Sequence, residues 1–347
     1  MRIERIRPTL KDVGLAAGVD PSLVSRVLTS DPLVRVSEDT RTRILAVAQR
    51  MGYYPNALAR GLSLATAQSI GLLLPDLSNP IYAQAVIGAH EAAQRLGYVL
   101  VIGSMHDGEA TERAFAGLLY QGRVDGLIVA SARVSDEVVA KLLSLPAPVV
   151  IANRKVVGAL ASVTADDESA SRLAVEHLTG LGHVRLAHLS GSDYAETSTR
   201  RKAGFLRALR SEGVQGRIVA GGARPEDGYR AARRLFERSP EVTGLVVASL
   251  LSAVGVLHAA YDAGLSVPAD LSVVAIHDDL LADHLVPPLT TVALPMRELG
   301  STAVELLDDV LSGGSLRHVV VPRPPALVVR ASTGVVPVNQ RQRKIAR

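Results

Sequence analysis

The chain has 347 residues, 48% of them hydrophobic, no cysteine, and 38 Lys+Arg against 34 Asp+Glu. That length suggests two or three domains, and the apolar content is ample for packed cores, which excludes a disordered chain. Without cysteine there is no disulfide framework, zinc ribbon, thiol nucleophile or iron–sulfur cluster. The net charge of +4 is unevenly placed: residues 1–64 hold 10 basic and 6 acidic side chains, residues 65–339 hold 24 and 28, and the last eight residues hold four basic and no acidic ones. A short basic head on a mildly acidic body suggests a nucleic-acid module joined to something else. The opening MRIERIRPTL lacks an apolar h-region, and no apolar run reaches the ~18 residues of a membrane span, so a cytoplasmic, nucleoid-associated protein is expected.

In chain order, Thr9 reads as the cap of a first helix, with Asp12 supporting its first turn, Leu10, Val13 and Ala17 at helical spacing, and Gly18 at its end. Asp20 caps a second helix that starts at Pro21, turns Val24, Val27 and Leu28 inward and leaves Ser22, Ser25 and Arg26 outward. A third helix runs from Ser37 through Ile44, Leu45, Val47 and Ala48 to Gly52, with Arg41, Arg43 and Arg50 as solvated surface charges. Helix, tight turn and helix make a helix-turn-helix pattern. The run Tyr53-Tyr54-Pro55-Asn56 breaks it, and the segment from Ala57 to Leu64 is too short to hold as an isolated helix.

From Ser69 the rhythm alternates. Strands are expected at 70–74, 98–103, 126–130 and 149–152, with helices near 81–96, 110–121 and 135–144. A second series follows: helices 168–181, 198–212, 226–238 and 251–264 between strands 185–190, 217–220, 244–248 and 272–276. Strand 290–294, a helix near 296–312, and strands 318–322 and 326–330 complete it. Such alternation implies parallel sheets covered by helices, and its length implies two lobes with a ligand cleft at the carboxyl ends of the strands.

The head is similar to the DNA-binding domain of the lac-repressor (LacI/GalR) family of bacterial transcription regulators. The resemblance rests on Thr9-Leu10-Lys11-Asp12-Val13, Ala17-Gly18-Val19, Val24-Ser25-Arg26-Val27-Leu28, Val36-Ser37, Thr40-Arg41 and Gly52-Tyr53-Tyr54-Pro55-Asn56. It continues through Val124-Asp125-Gly126, Leu181-Gly182-His183, Val267-Pro268-Ala269-Asp270 and Pro288-Leu289-Thr290-Thr291, and spans residues 8–332. It implies an all-α helix-turn-helix head plus an α/β body, a two-lobed periplasmic-binding-protein-like domain with parallel sheets. The expected divisions are a head at 1–54, a hinge helix and linker at 55–68, an effector-binding and dimerisation body at 69–335, and a basic, disordered tail at 336–347.

The resemblance implies DNA contacts from Thr9, Leu10, Pro21, Ser22, Ser25, Arg26, Ser37, Tyr53, Asn56, Ala59 and Leu62, with Leu62 as a wedge between base steps. Arg26 suits bidentate pairing with guanine, while the hydroxyls of Thr9 and Ser37 serve equally as caps. In the body it implies an effector site of Asp76, Asn79, Tyr82, Asn153, Asp166, Arg201, Ser249 and His277. Each polar member at a strand end reads equally as a cap or turn residue, and Arg201, flanked by Arg200 and Lys202, reads equally as helix surface, as do the pairs Arg200-Arg201 and Arg233-Arg234. The sequence departs from the family where Ser249-Leu250 stands in place of Asn-Asp and His277 in place of an acid. The effector is then a different sugar, an acidic metabolite or an aromatic compound, and His277 is either a pH sensor or a neutral hydrogen-bonding residue.

No G-x-G-x-x-G after a strand, P-loop, G-x-S-x-G or H-E-x-x-H occurs, and the nine histidines are scattered, so no catalytic residue, metal or cofactor is expected. The reading is a ligand-responsive repressor binding a palindromic operator in double-stranded DNA as a homodimer, with a carbohydrate or related metabolite as effector and no membrane association. Without an apolar repeat in Gln340–Arg347, a dimer is expected rather than a tetramer. The alternatives are a solute-binding protein and a sugar-modifying enzyme on the same lobes.

Overall fold

A computed structural model describes residues 8–28, 34–53, 66–104, 109–130, 144–145, 147–155 and 160–336. The chain divides into two compact units, Met1–Ala67 and Gln68–Arg347. In the first, helices α1 (Leu10–Ala17), α2 (Pro21–Leu28) and α3 (Glu38–Met51) enclose a small core of Val13, Ala17, Val24, Val27, Ile44, Val47 and Ala48. Gly18 and Gly52 end α1 and α3 in the left-handed conformation, at φ of 66° and 64°, as expected of C-terminal glycines.

The second unit carries two six-stranded sheets. In chain order its elements are β1 (Ser69–Leu74), a 3-10 turn (Pro80–Tyr82), α4 (Ala83–Arg95), β2 (Val99–Ser104), α5 (Glu109–Tyr120), β3 (Gly126–Val129), β4 (Val149–Ala152) and β5 (Ala161–Thr164). There follow α6 (Asp167–Gly180), β6 (Arg185–Leu189), α7 (Glu196–Glu212), β7 (Gln215–Val219), α8 (Pro225–Arg238), β8 (Gly244–Val247) and α9 (Leu250–Asp262). The rest are β9 (Ser272–Ile276), α10 (Leu281–His284), β10 (Thr290–Ala293), α11 (Met296–Leu311), β11 (His318–Val320) and β12 (Ala326–Val328).

The sheet orders are β2-β1-β3-β4-β5-β11 and β7-β6-β8-β9-β10-β12. Every pairing is parallel except β10 with β12 at one edge. Central strands such as β3, β4, β8 and β9 are buried on both faces, the condition of parallel sheets covered by helices. Alternation then assigns the faces: Ile70, Leu72 and Leu74 of β1 meet Ala85, Ala89 and Ala92 of α4, while Leu73 turns to Phe115 and Leu119 of α5. The two sheets share the same strand order, so β4 in one lobe and β9 in the other occupy equivalent places. Three connections join the lobes: Ala165–Asp166, Leu294–Pro295 and 321–325.

Helices α4 and α11 cross almost backbone to backbone. A Cβ on Gly88 would fall on the Arg297 carbonyl, and one on Gly300 on the Ala85 carbonyl. The ion pairs Arg297–Glu91 and Arg95–Glu305 span the same crossing.

Two elements escaped the sequence expectations. Strand β5, Ala-Ser-Val-Thr, is only four residues of mostly small side chains, and its place is set by pairing to β4 and β11 on either side. The four-residue α10 is too short to show periodicity. The helix expected near 135–144, the hinge segment and the tail beyond Val336 lie outside the described residues, apart from Ser144 itself.

Candidate functional site

In the head, capping chemistry explains several residues first read as DNA contacts. The Thr9 hydroxyl accepts the Asp12 N–H at 3.3 Å, while the Thr9 N–H donates to the Asp12 carboxylate at 2.7 Å, a reciprocal capping box. These bonds hold the Asp12 carboxyl below its ordinary range. Ser37 accepts from the Thr40 N–H in the same way. Asp20 accepts the Ser22 N–H at 2.8 Å, so it caps α2 as expected. Leu10 and Tyr53 pack against the head core. On α2, Ser22 and Arg26 are exposed, and Pro21 and Ser25 are half-buried, at the start and on the outer face. Arg43 departs from the surface-charge reading: its Nε donates to the Ala17 carbonyl at 3.2 Å and ties α3 to the end of α1. Asn56, Ala59 and Leu62 lie outside the described residues.

In the body the eight candidates separate into two groups. Four close turns or helix starts. Asp76 accepts from the Ser78 N–H and hydroxyl, Asn79 from the Ile81 N–H, Asp166 from the Ser169 N–H, and Ser249 from the Ser252 N–H. Ser249 also donates to the Ala223 carbonyl. The other four, Tyr82, Asn153, Arg201 and His277, lie around one buried centre.

Arg201 organises that centre from α7 and is only 5% exposed. Its Nε donates to Asp167 Oδ1 at 2.6 Å, one Nη to the Ala248 carbonyl, and the other Nη to His277 Nε2 at 2.8 Å. Asp167, fully buried, was not anticipated; its neighbour Asp166 was. Arg200, expected on the helix surface, instead donates to Asp167 through Nε and Nη2 and pairs with Glu196. Burial pushes the Asp167 carboxyl up, but the two guanidinium groups outweigh burial and hold it below the usual carboxylate range. Arg233 follows the surface expectation, pairing only distantly with Glu237 at 3.8 Å.

His277 directly follows β9, and Asn153 directly follows β4, the equivalent strand of the other lobe. Both adopt the left-handed conformation that non-glycine residues avoid, at φ of 74° and 60°. Both also carry a buried polar atom without a partner: His277 Nδ1 and Asn153 Oδ1. A guanidinium can only donate, so His277 Nε2 accepts and its proton sits on Nδ1. Burial, with help from Arg201, drives the His277 pKa down to about 3. It is therefore the neutral hydrogen-bonding residue of the two readings, and not a sensor near neutral pH.

Tyr82 approaches from the first lobe. Burial raises its hydroxyl to about 12, against the pull of Arg201. Its neighbour Ile81 inserts among Ala187, Leu189, Leu250 and Ala275 of the second lobe. The Lys155 N–H donates to Glu196 at 3.2 Å, again across the lobes. Behind Arg201, His188 stacks on Phe205 at 5.2 Å, donates through Nδ1 to the Val246 carbonyl at 3.1 Å, and is also driven to about 3 by burial. Ser198 on α7 carries a further unpartnered buried hydroxyl. Sequence reasoning did not single out Asp167, His188 or Ser198 as site residues. The two left-handed polar residues were findable only as polar residues at strand ends. Among the described residues no group of three His, Cys, Asp or Glu side chains could hold a metal.

This arrangement, unpaired buried polar atoms from two lobes around a fixed guanidinium, is a site for a small polar molecule. Comparisons with known proteins agree. Residues 9–56 match the model of bacterial regulatory proteins of the lacI family, and residues 175–333 match the periplasmic binding protein-like domain. The chain is 33% identical to catabolite control protein A of Priestia megaterium over 330 residues, covering 94% of this chain and 99% of that protein. It is 31% identical to the ribose operon repressor of Bacillus subtilis, over 94% and 98% of the two chains. The crystal structure of the lac repressor dimer bound to operator and the anti-inducer ONPF superposes with a TM-score of 0.81 at 28% identity, over 94% of this chain and 99% of that one. With a helix-turn-helix head, a two-lobed body and relatives matched over nearly their whole length, the chain belongs to the lacI family of bacterial regulatory proteins.

Proposed function

We propose that the protein is a transcriptional repressor that binds a palindromic operator as a homodimer and changes its DNA affinity when a small polar effector occupies the interlobe site. The observation that carries this reading is the pairing of two separately cored units: a head whose α2 presents Ser22, Ser25 and Arg26 outward, and a body built around Arg201. Pro21, Ser22, Ser25 and Arg26 face base edges, with Arg26 discriminating at one base pair by about 1–3 kcal/mol. Thr9, Leu10 and Ser37 hold the helices in place beside phosphates, and Tyr53, Asn56, Ala59 and Leu62 act in the connection between head and body. The functional divisions are a head at 1–54, a connection at 55–68, a body at 69–335 and a basic tail. Tyr82, Asn153, Arg201 and His277 contact the effector, while Asp76, Asn79, Asp166 and Ser249 shape the loops around them. An effector that prefers one lobe arrangement shifts the population competent for DNA.

The chain acts without turnover, in the cytoplasm where its DNA is. No helix of the described residues is long and apolar enough to cross a membrane. The test is fluorescence anisotropy on duplexes from the region upstream of its own gene. Full-length protein should bind one palindrome with a steep salt dependence, and a variant lacking residues 1–67 should not bind it. Specific binding by the headless variant, or conversion of a bound ligand by the body, overturns the proposal.

A further inference from the structure

We infer that Asp167 sets the charge selectivity of the interlobe site, restricting it to neutral, hydroxyl-rich ligands. The inference rests on the effector-site reading above. Three of the five Arg201 N–H groups are already committed, to Asp167, the Ala248 carbonyl and His277, which leaves one on each Nη. The His277 Nδ1–H is a third donor, 98% buried and unpartnered. These donors suit any oxygen, charged or not. Two further features decide between them.

The first is the charge of the cluster. Asp167 is completely buried against Arg201 and Arg200, and Glu196 takes the remaining side of Arg200. Two guanidinium groups meet two carboxylates, and the adjacent Lys202 is matched by Asp193 at 2.7 Å. A buried anion placed here gains no uncompensated positive charge in exchange for its lost hydration. The second is the presence of acceptors among the unpartnered atoms. Asn153 Oδ1 needs a donor, and Ser198 Oγ can use one. A carboxylate or phosphate oxygen accepts but does not donate, whereas a hydroxyl does both, so a polyol satisfies His277 and Asn153 together. The competing feature is Arg154, beside Asn153, whose Nε is buried without a partner. An anion drawn to it is what charged probes report.

Asp167 therefore does more than fix the orientation of Arg201. Converting it to an amide keeps its shape and its ability to accept from Arg201 while leaving one positive charge uncancelled. The experiment measures binding of ribose, glucose, sorbitol and cellobiose, and of gluconate and glucose 6-phosphate, to the full-length protein by calorimetry. Wild type, Asp167→Asn and Arg201→Ala are compared. At least one neutral probe should bind wild type more tightly than either anion, and Asp167→Asn should move the neutral-to-anion affinity ratio about tenfold toward the anions. If Asp167→Asn does not fold, Glu196→Gln removes charge at the rim of the same cluster and should move the ratio in the same direction by a smaller factor.

Three results overturn the inference: an anion binding wild type as tightly as the best neutral probe, no binding of any neutral probe, or a ratio unchanged by the folded charge-removing variant. Loss of all probe binding in Arg201→Ala keeps the site itself standing in any of these cases in which a probe binds. Equal binding to wild type and Arg201→Ala places the ligand elsewhere and removes the reading on which the inference rests.

Discussion

The two buried histidines behind the site make acid stability a sharp test of the electrostatics. An imidazole in the unfolded chain titrates near 6.5, whereas burial drives both His188 and His277 to about 3 in the fold. Between those values the unfolded chain binds protons that the folded chain excludes. Stability from each neutral histidine is thus present above about pH 6.5 and declines as pH falls toward 3. Unfolded imidazoles are about one-quarter protonated at pH 7 and almost fully so at pH 5, which integrates to about 2 kcal/mol lost per histidine over that interval. Asp167 does not contribute in this window, because its carboxyl is held below the usual range and titrates at still lower pH.

The assay is urea unfolding of the full-length protein and of His188→Gln at pH 7 and pH 5, followed by circular dichroism. Glutamine keeps an N–H for the Val246 carbonyl, the one hydrogen bond His188 makes, and removes the titrating group. The variant is less stable at pH 7 through lost stacking on Phe205, but its further loss on going to pH 5 should be about 2 kcal/mol smaller than that of wild type. An equal loss in both proteins would show that His188 takes up its proton without unfolding, and the burial argument would fail for it and for His277 alike.

Other expectations follow from packing, capping and the site. Gly300→Ala drives a methyl group into the Ala85 carbonyl at the α4–α11 crossing and should destabilise the body by about 3 kcal/mol, read as a shift of its urea midpoint. A normal midpoint would mean the helices separate at little cost. Thr9→Ala removes half of the capping box and should cost the head about 1 kcal/mol, whereas Ser78→Ala, in an exposed turn, should change stability by less than half of that. Arg201→Ala should abolish the effector response in a DNA-release assay while operator affinity without effector stays within a few-fold of wild type. An unchanged response removes Arg201 from the site.

The head was the more legible half. Thr9, Asp12, Gly18, Asp20, Pro21, Ser37 and Gly52 are punctuation whose physics is local, because a cap bonds to a backbone group two or three residues away. The alternation of strands and helices was legible for a similar reason, since burial on both faces leaves continuous apolar runs such as Ser272–Ile276. The short β5 was not, because its pairing comes from β4 and β11, and β11 lies more than 150 residues further along the chain.

The site shows the same division more strongly. Sequence alone determined that polar groups at strand ends face a cleft, and it named Tyr82, Asn153, Arg201 and His277 among eight candidates. It did not separate them from Asp76, Asn79, Asp166 and Ser249, because a residue that caps a helix and one that awaits a ligand have the same chemistry and the same place in the chain. Only the tertiary structure decided that Asp167, and not Asp166, meets Arg201, that Arg200 is drawn inward with it, and that His277 is neutral with its proton on Nδ1. Those facts depend on burial and on distances between residues 34 to 110 positions apart, such as Asp167, Arg201 and His277, and no local pattern records them.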